Sequence, residues 1–176
     1  MLTIPRKITL HWTAGQYLPN REEKEAYHLL IPKDAGVLKT HDFTAPLEHC
    51  WHDNTGNIGI AVCAMWKAGS GDFGAYPFTD SQLQTMLEAA ALTAVLKKLT
   101  VSAVATHAER AVEKGYFGER WDFAVLKPAS RLTPQMAIQT GEGLRKEIAR
   151  KIERIEKIGI KAHPLYPELT KNCKEE

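Results

Sequence analysis

The sequence predicts an α/β domain: a mixed central β-sheet flanked by helices, with a helical extension at the carboxyl end. Three observations lead there. Strand-length segments rich in β-branched residues alternate with helical patterns along the chain. One segment, residues 57–65, is a nearly continuous apolar run of the kind buried on both faces of a sheet. The length of 176 residues, with 44% hydrophobic and 25% charged, suits one domain that buries its core without disulfide or metal staples.

Residues 7–12 (KITLHW) alternate and run into Thr13-Ala14-Gly15, so they form a short strand with His11 at its end. Residues 16–25 are polar and read as an exposed loop with one helical turn. Residues 27–31 make the next strand, and the turn chemistry of residues 33–36 sends residues 37–40 back as its hairpin partner. Residues 41–56 are irregular and carry His41, His49 and His52. The apolar run over 57–65 is the central strand, and a glycine-rich loop over 69–74 follows it. Thr79 and Gln82 form a capping-box pattern that opens a helix reaching about Leu99. Residues 101–106 form a strand that delivers His107 at its end, and 108–121 read as a long loop. Thr133 before Pro134 starts the last helix, whose stripe is Leu144, Ile148, Ile152, Ile155 and Ile158. The tail after Gly159 reads as extended or loosely packed. The chain thus divides into a main domain over 1–130 and a C-terminal helix and tail over 131–176, packed on the same domain.

Composition excludes several classes. With 23 Lys and Arg against 21 Asp and Glu the net charge is +2, which gives no reason to expect a nucleic-acid partner. Three widely spaced cysteines, Cys50, Cys63 and Cys173, form neither a disulfide framework nor a zinc ribbon. The amino terminus lacks a signal-peptide pattern, and no apolar stretch nears the roughly 20 residues that cross a bilayer. Cytoplasmic synthesis of a monomer with no transmembrane segment is the expectation.

Seven histidines direct attention to a metal, because neutral imidazole is a common ligand. Catalytic zinc takes three protein ligands and keeps one position open. His11 and His107, both at strand ends, supply two. The third must be a nearby His, Cys, Asp or Glu, and Asp122 closes the segment that starts at His107.

The residues at this point resemble a family. Ile8-Thr9-Leu10-His11-Trp12-Thr13-Ala14-Gly15 is similar to the opening strand of type 2 N-acetylmuramoyl-L-alanine amidases, zinc enzymes that include phage endolysins and peptidoglycan recognition proteins. Tyr27-His28-Leu29-Leu30-Ile31 resembles the second strand. His49, followed by Asn54-Thr55-Gly56-Asn57-Ile58-Gly59-Ile60, resembles the substrate-side loop and central strand. Thr106-His107-Ala108-Glu109 and Arg120-Trp121-Asp122 resemble the closing motif of the phage-type branch.

The resemblance implies one Zn2+ held by His11, His107 and Asp122, and hydrolysis of the amide between N-acetylmuramic acid and L-alanine in peptidoglycan or muropeptides. Two imidazoles and one carboxylate leave the ion net positive, which suits it to acidify water and polarise a carbonyl. Tyr27 matches a tyrosine that some members place beside the metal. Arg120 stands where members often carry lysine, which keeps the positive charge but makes a poorer proton donor. Ala61 stands where other branches carry a catalytic glutamate, so Tyr27, Arg120 and Glu109 become the candidate catalytic residues. His49 and Asn54 are the candidate substrate contacts, and His28, His41, His52 and His163 read as structural or exposed.

The expected role is a phage or prophage endolysin for cell lysis, released by a holin to act on the cell wall from the periplasm. A cytoplasmic muropeptide-recycling amidase and a non-catalytic peptidoglycan-binding module of the same fold are the alternatives.

Overall fold

The computed structural model describes residues 4–118 and 120–173. Strands Lys7–Trp12 (β1), Leu29–Ile31 (β2), Leu38–Lys39 (β3), Asn57–Val62 (β4) and Val104–Thr106 (β5) form one sheet in the order β3-β2-β4-β1-β5. The apolar β4 is buried along its whole length and pairs in parallel with β1 and β2. β1 pairs in parallel with β5, while β2 and β3 form the antiparallel hairpin, so the sheet is mixed as predicted.

Strand alternation sends neighbouring residues to opposite faces. Ile8, Leu10 and Trp12 of β1, with Ile58, Ile60 and Val62 of β4, belong to the main hydrophobic core. Helix Asp80–Lys97 (α2) and helix Pro134–Ile158 (α4) contribute Met86, Leu87, Leu144, Ile148 and Ile155 to the same core. The other face carries Thr9, His11, Asn57, Gly59 and Ala61. Across it lie Leu30, Cys63 and the ring of Tyr27. Alternation therefore turns His11 away from the helical core.

Local signals explain the helices. Thr79 caps α2 through a reciprocal box with Gln82, whose amide also donates to the Ile31 and Cys63 carbonyls at 3.0 Å each. Thr133 caps α4, with Pro134 in the first turn. A second box, Asn20 with Glu23, starts Arg21–Ala26 (α1), the single helical turn expected in that loop.

Three expectations are corrected. Residues 108–121 are not one long loop, because His107–Lys114 is helical (α3), started by a box between Thr106 and Glu109. The strand predicted over 101–106 opens as a 3₁₀ turn, Val101–Ala103, before β5. The tail folds as a 3₁₀ turn, Ile160–Ala162, and helix Tyr166–Thr170 (α5), with His163 and Leu169 buried.

Glu88 explains that packing. Its Oε1 accepts from Lys151 Nζ at 2.8 Å and Arg154 at 2.6 Å, and its Oε2 from His163 Nε2 at 3.2 Å. His163 Nδ1 accepts the Leu165 amide at 3.2 Å, so both ring nitrogens are satisfied. One carboxylate on α2 thus ties α4 and the tail together.

Candidate metal centre

Two adjacent parallel strands bring the histidines together. Leu10 of β1 is in register with Thr106 of β5, so His11 and His107 leave the same end of the sheet. Their ring centroids lie 4.5 Å apart. Asp122 arrives on a turn closed by the Ala124 amide donating to the Trp121 carbonyl at 2.7 Å. Phe123, at the third position, has φ of 59°, a left-handed conformation unfavourable for a bulky residue. Its fully buried ring, against Trp12 and Phe78, holds the turn in place. The Asp122 carbonyl also accepts the Ala108 amide at 3.1 Å, docking the turn on the start of α3.

His11, His107 and Asp122 are all buried and present one ligand atom each within 4.8 Å of one another. Asp122 Oδ2 lies 3.4 Å from His107 Nδ1 and 3.5 Å from His11 Nδ1. His11 Nδ1 is buried and makes no hydrogen bond among the described residues. A neutral imidazole nitrogen left without a partner beside a carboxylate oxygen suits a bound cation, which would satisfy both, because a buried polar atom without a partner is costly. The three residues fit a divalent ion that accepts nitrogen and oxygen donors.

Electrostatics divides the trio. Burial, with the neighbouring His107 charge, lowers the His11 pKa to about 3 and keeps that ring neutral. Burial also opposes a charge on His107, but the hydrogen bond it donates to Asp122 outweighs it and raises the pKa to about 9. For Asp122, burial favours the neutral acid, yet the hydrogen bond from His107 outweighs it and holds its carboxyl well below the usual range. The metal-free trio thus holds one charged imidazole, one carboxylate and one neutral imidazole.

Tyr27 flanks the trio, its ring 5.2 Å from that of His11. Burial, then the Asp122 charge, raises its pKa and keeps the phenol protonated. Arg120 is exposed, and its positive charge acts on the phenols of both Tyr27 and Tyr116, placing it at the mouth of the site. Ala61 is fully buried in register with His11, so β4 brings no carboxylate to this point.

Two candidate assignments meet a different geometry. Glu109, expected to be catalytic, spends its carboxylate on the Thr106 amide at 2.9 Å and on Arg145 at 2.8 and 3.0 Å. It faces Gly141 of α4 so closely that a Cβ there would sit 1.9 Å from Oε2, so it is a cap and a helix clamp. The pattern Thr-x-x-Glu was present in the sequence and signals this role. Asn54, expected to touch substrate, accepts the His49 and Cys50 amides at 3.1 and 2.7 Å through Oδ1. That side chain builds the loop.

His49 lies behind His11 and is nearly buried, with Nδ1 3.1 Å from His11 Nε2 and Nε2 2.9 Å from the Asn57 carbonyl. A partner behind His107 escapes sequence reasoning altogether. The Tyr116 hydroxyl lies 3.4 Å from His107 Nε2, 3.5 Å from the Trp51 carbonyl and 3.8 Å from Cys50 Sγ. Nothing in the local pattern marks that tyrosine, which reaches His107 only because α3 reverses the chain.

Comparisons with known proteins show the family and the fold. The family model described as N-acetylmuramoyl-L-alanine amidase matches residues 2–122, and the chain belongs to that family. Among solved structures it is similar to the E90A mutant of PlyL, with a TM-score of 0.54, 14% identity, 86% of this chain and 87% of that one covered. The catalytic domain of XlyA gives 0.54 and 13%, over 84% of this chain and 88% of that one. The amidase AmiD from E. coli, in complex with anhydro-N-acetylmuramic acid-L-Ala-D-gamma-Glu-L-Lys, gives 0.50 and 17%, over 65% and 52%. At these identities the likeness concerns the fold. A search of curated protein sequences finds no significant match.

Proposed function

We propose that this peptidoglycan amidase is zinc-dependent, cleaves the bond between N-acetylmuramic acid and L-alanine, and serves as a phage or prophage endolysin that a holin lets reach the wall. The observation that carries the metal reading is the unpartnered, buried Nδ1 of His11 beside the Asp122 carboxylate. His11, His107 and Asp122 would hold the ion. Bound there, zinc supplies Lewis acidity toward water and the scissile carbonyl.

The remaining work falls to the side chains around it. Tyr27, protonated and beside His11, is suited to donate a hydrogen bond to the oxyanion or to the leaving nitrogen. Arg120 adds a permanent positive charge at the mouth, which favours the oxyanion without moving a proton. With Ala61 apolar and Glu109 committed to its cap, those two carry the catalytic load. The substrate bound in the AmiD complex contains the muramic acid to L-alanine linkage, which supports the same bond as the target here. The endolysin role rests on the phage-type closing motif around Arg120, Trp121 and Asp122.

Purified protein should contain about one zinc per chain and release stem peptides from sacculi without creating new reducing ends. His107→Ala should remove metal and activity together. Release of reducing sugars would replace amidase by glycosidase chemistry. Full metal retention without peptide release would leave a binding module.

A further inference from the structure

We propose that the loop over residues 49–57 sets the tautomer of His11, through His49 behind it, and orients the ring of His107, through Tyr116 behind that one. The inference rests on the metal reading above and adds two positioning residues to it.

The argument starts at two backbone carbonyls, which can only accept hydrogen bonds. The Asn57 carbonyl lies 2.9 Å from His49 Nε2, so that nitrogen must carry the proton. His49 is buried and, among the described residues, its ring nitrogens meet only the Asn57 carbonyl and the His11 ring, with no carboxylate to hold a second proton, so the ring is neutral and its Nδ1 is an acceptor. His11 Nε2 lies 3.1 Å from that acceptor and must donate. A neutral imidazole has one N–H, so His11 Nδ1 is left as a bare lone pair aimed at Asp122. The second arm runs the same way. The Trp51 carbonyl takes the Tyr116 O–H, and the Tyr116 oxygen accepts from His107 Nε2, which points His107 Nδ1 into the site.

The loop is built to hold these two carbonyls still. Asn54 Oδ1 gathers the His49 and Cys50 amides. Asn57 Nδ2 donates to the Asp53 carbonyl at 2.8 Å, and its Oδ1 accepts from Thr9 Oγ1 at 2.9 Å. Lys7 and Arg110 clamp the Asp53 carboxylate from β1 and α3. Gly59 of β4 leaves room for the His49 ring, since a Cβ there would come within 2.8 Å of it. Ligand histidines generally bind metal through the nitrogen left bare by such a partner, and losing the partner costs about 10–100-fold in metal affinity.

Long-range 1H–15N correlation spectra of the metal-free wild-type protein test the direction without any metal or turnover. His11 and His49 should both be Nε2–H tautomers, and an Nδ1–H form of His11 overturns the proposal. Zinc affinity from chelator competition then separates acceptor loss from packing. H49F should weaken zinc about 10–100-fold and mix the His11 tautomers. H49N, whose Oδ1 occupies the place of Nδ1, should keep most of the affinity. Y116F should weaken zinc while leaving the His11 tautomer unchanged. Equal losses in H49F and H49N, or none in H49F, overturn the inference. A wild-type protein that binds no zinc overturns the metal reading instead, while the spectra still judge the tautomers.

Discussion

Two clusters among the described residues pair histidine with a carboxylate, and they are finished differently. Around Glu88 every polar atom is spent: three cations or N–H groups meet one carboxylate, and His163 uses both nitrogens. Around Asp122 one buried nitrogen, Nδ1 of His11, is left with no donor to accept from. The first cluster is complete in the folded chain and holds helices together. The second has an acceptor to spare, and a cation there would satisfy that acceptor and the carboxylate facing it together. Leftover hydrogen-bonding capacity, more than burial or charge, separates a site from a strut here.

The largest contrast is expected from removing each carboxylate. Asp122→Ala should abolish zinc retention and reduce peptide release to background, with metal content and product assays as readouts; intact zinc and turnover would move the third ligand elsewhere. Glu88→Gln should leave both unchanged and cost about 0.5–1 kcal/mol of stability by denaturant titration, because it weakens a half-buried network without touching the site. A loss of zinc in that variant would dissolve the distinction between the clusters.

Gly59→Ala should follow in size, displacing the His49 ring and lowering zinc affinity by about tenfold, the low end for a lost outer partner. Chelator competition reads it, and an unchanged affinity would mean the loop tolerates a shifted ring.

Proton linkage gives a further contrast. In metal-free protein His107 holds its proton up to about pH 9, so zinc must displace that proton at neutral pH. Affinity should rise with pH and level off near 9, with about one proton released per zinc, measured by calorimetry in two buffers. The same raised pKa means that the pair with Asp122 stabilises metal-free protein fully below about pH 6.5, and that this contribution is lost as pH rises toward 9.

The smallest effect belongs to Glu88. Burial works against its charge, but Lys151, His163 and Arg154 lower its pKa. Its contribution is present above the unfolded value of 4.5 and is lost as pH falls through the lower folded value. In zinc-loaded protein Glu88→Gln should therefore flatten the acid side of the stability profile slightly.

Much of the fold was legible because its signals are local. The apolar run of β4, the Thr79 box and Thr133-Pro134 each act within a few residues. The missed α3 was legible too, since Thr106-x-x-Glu109 is the same kind of box. The polar composition of residues 108–121 hid it, and the packing of Ala108 and Ala111 under that surface decided it. The tail was harder. Its order depends on Glu88, 75 positions from His163, and no local pattern reports such a partner.

For the site the division is similar. The ligand types His11, His107 and Asp122 stand in the sequence, and parallel strands with matching ends are enough to bring the first two together. Only the tertiary structure decided that Glu109 faces α4, that His49 stands behind a ligand, and that Tyr116 stands behind the other. The physical reason is range. Helix caps and strand alternation are fixed by neighbours in the chain, whereas a hydrogen-bond partner for a buried ring is chosen by whatever the folded backbone brings within about 3 Å of it.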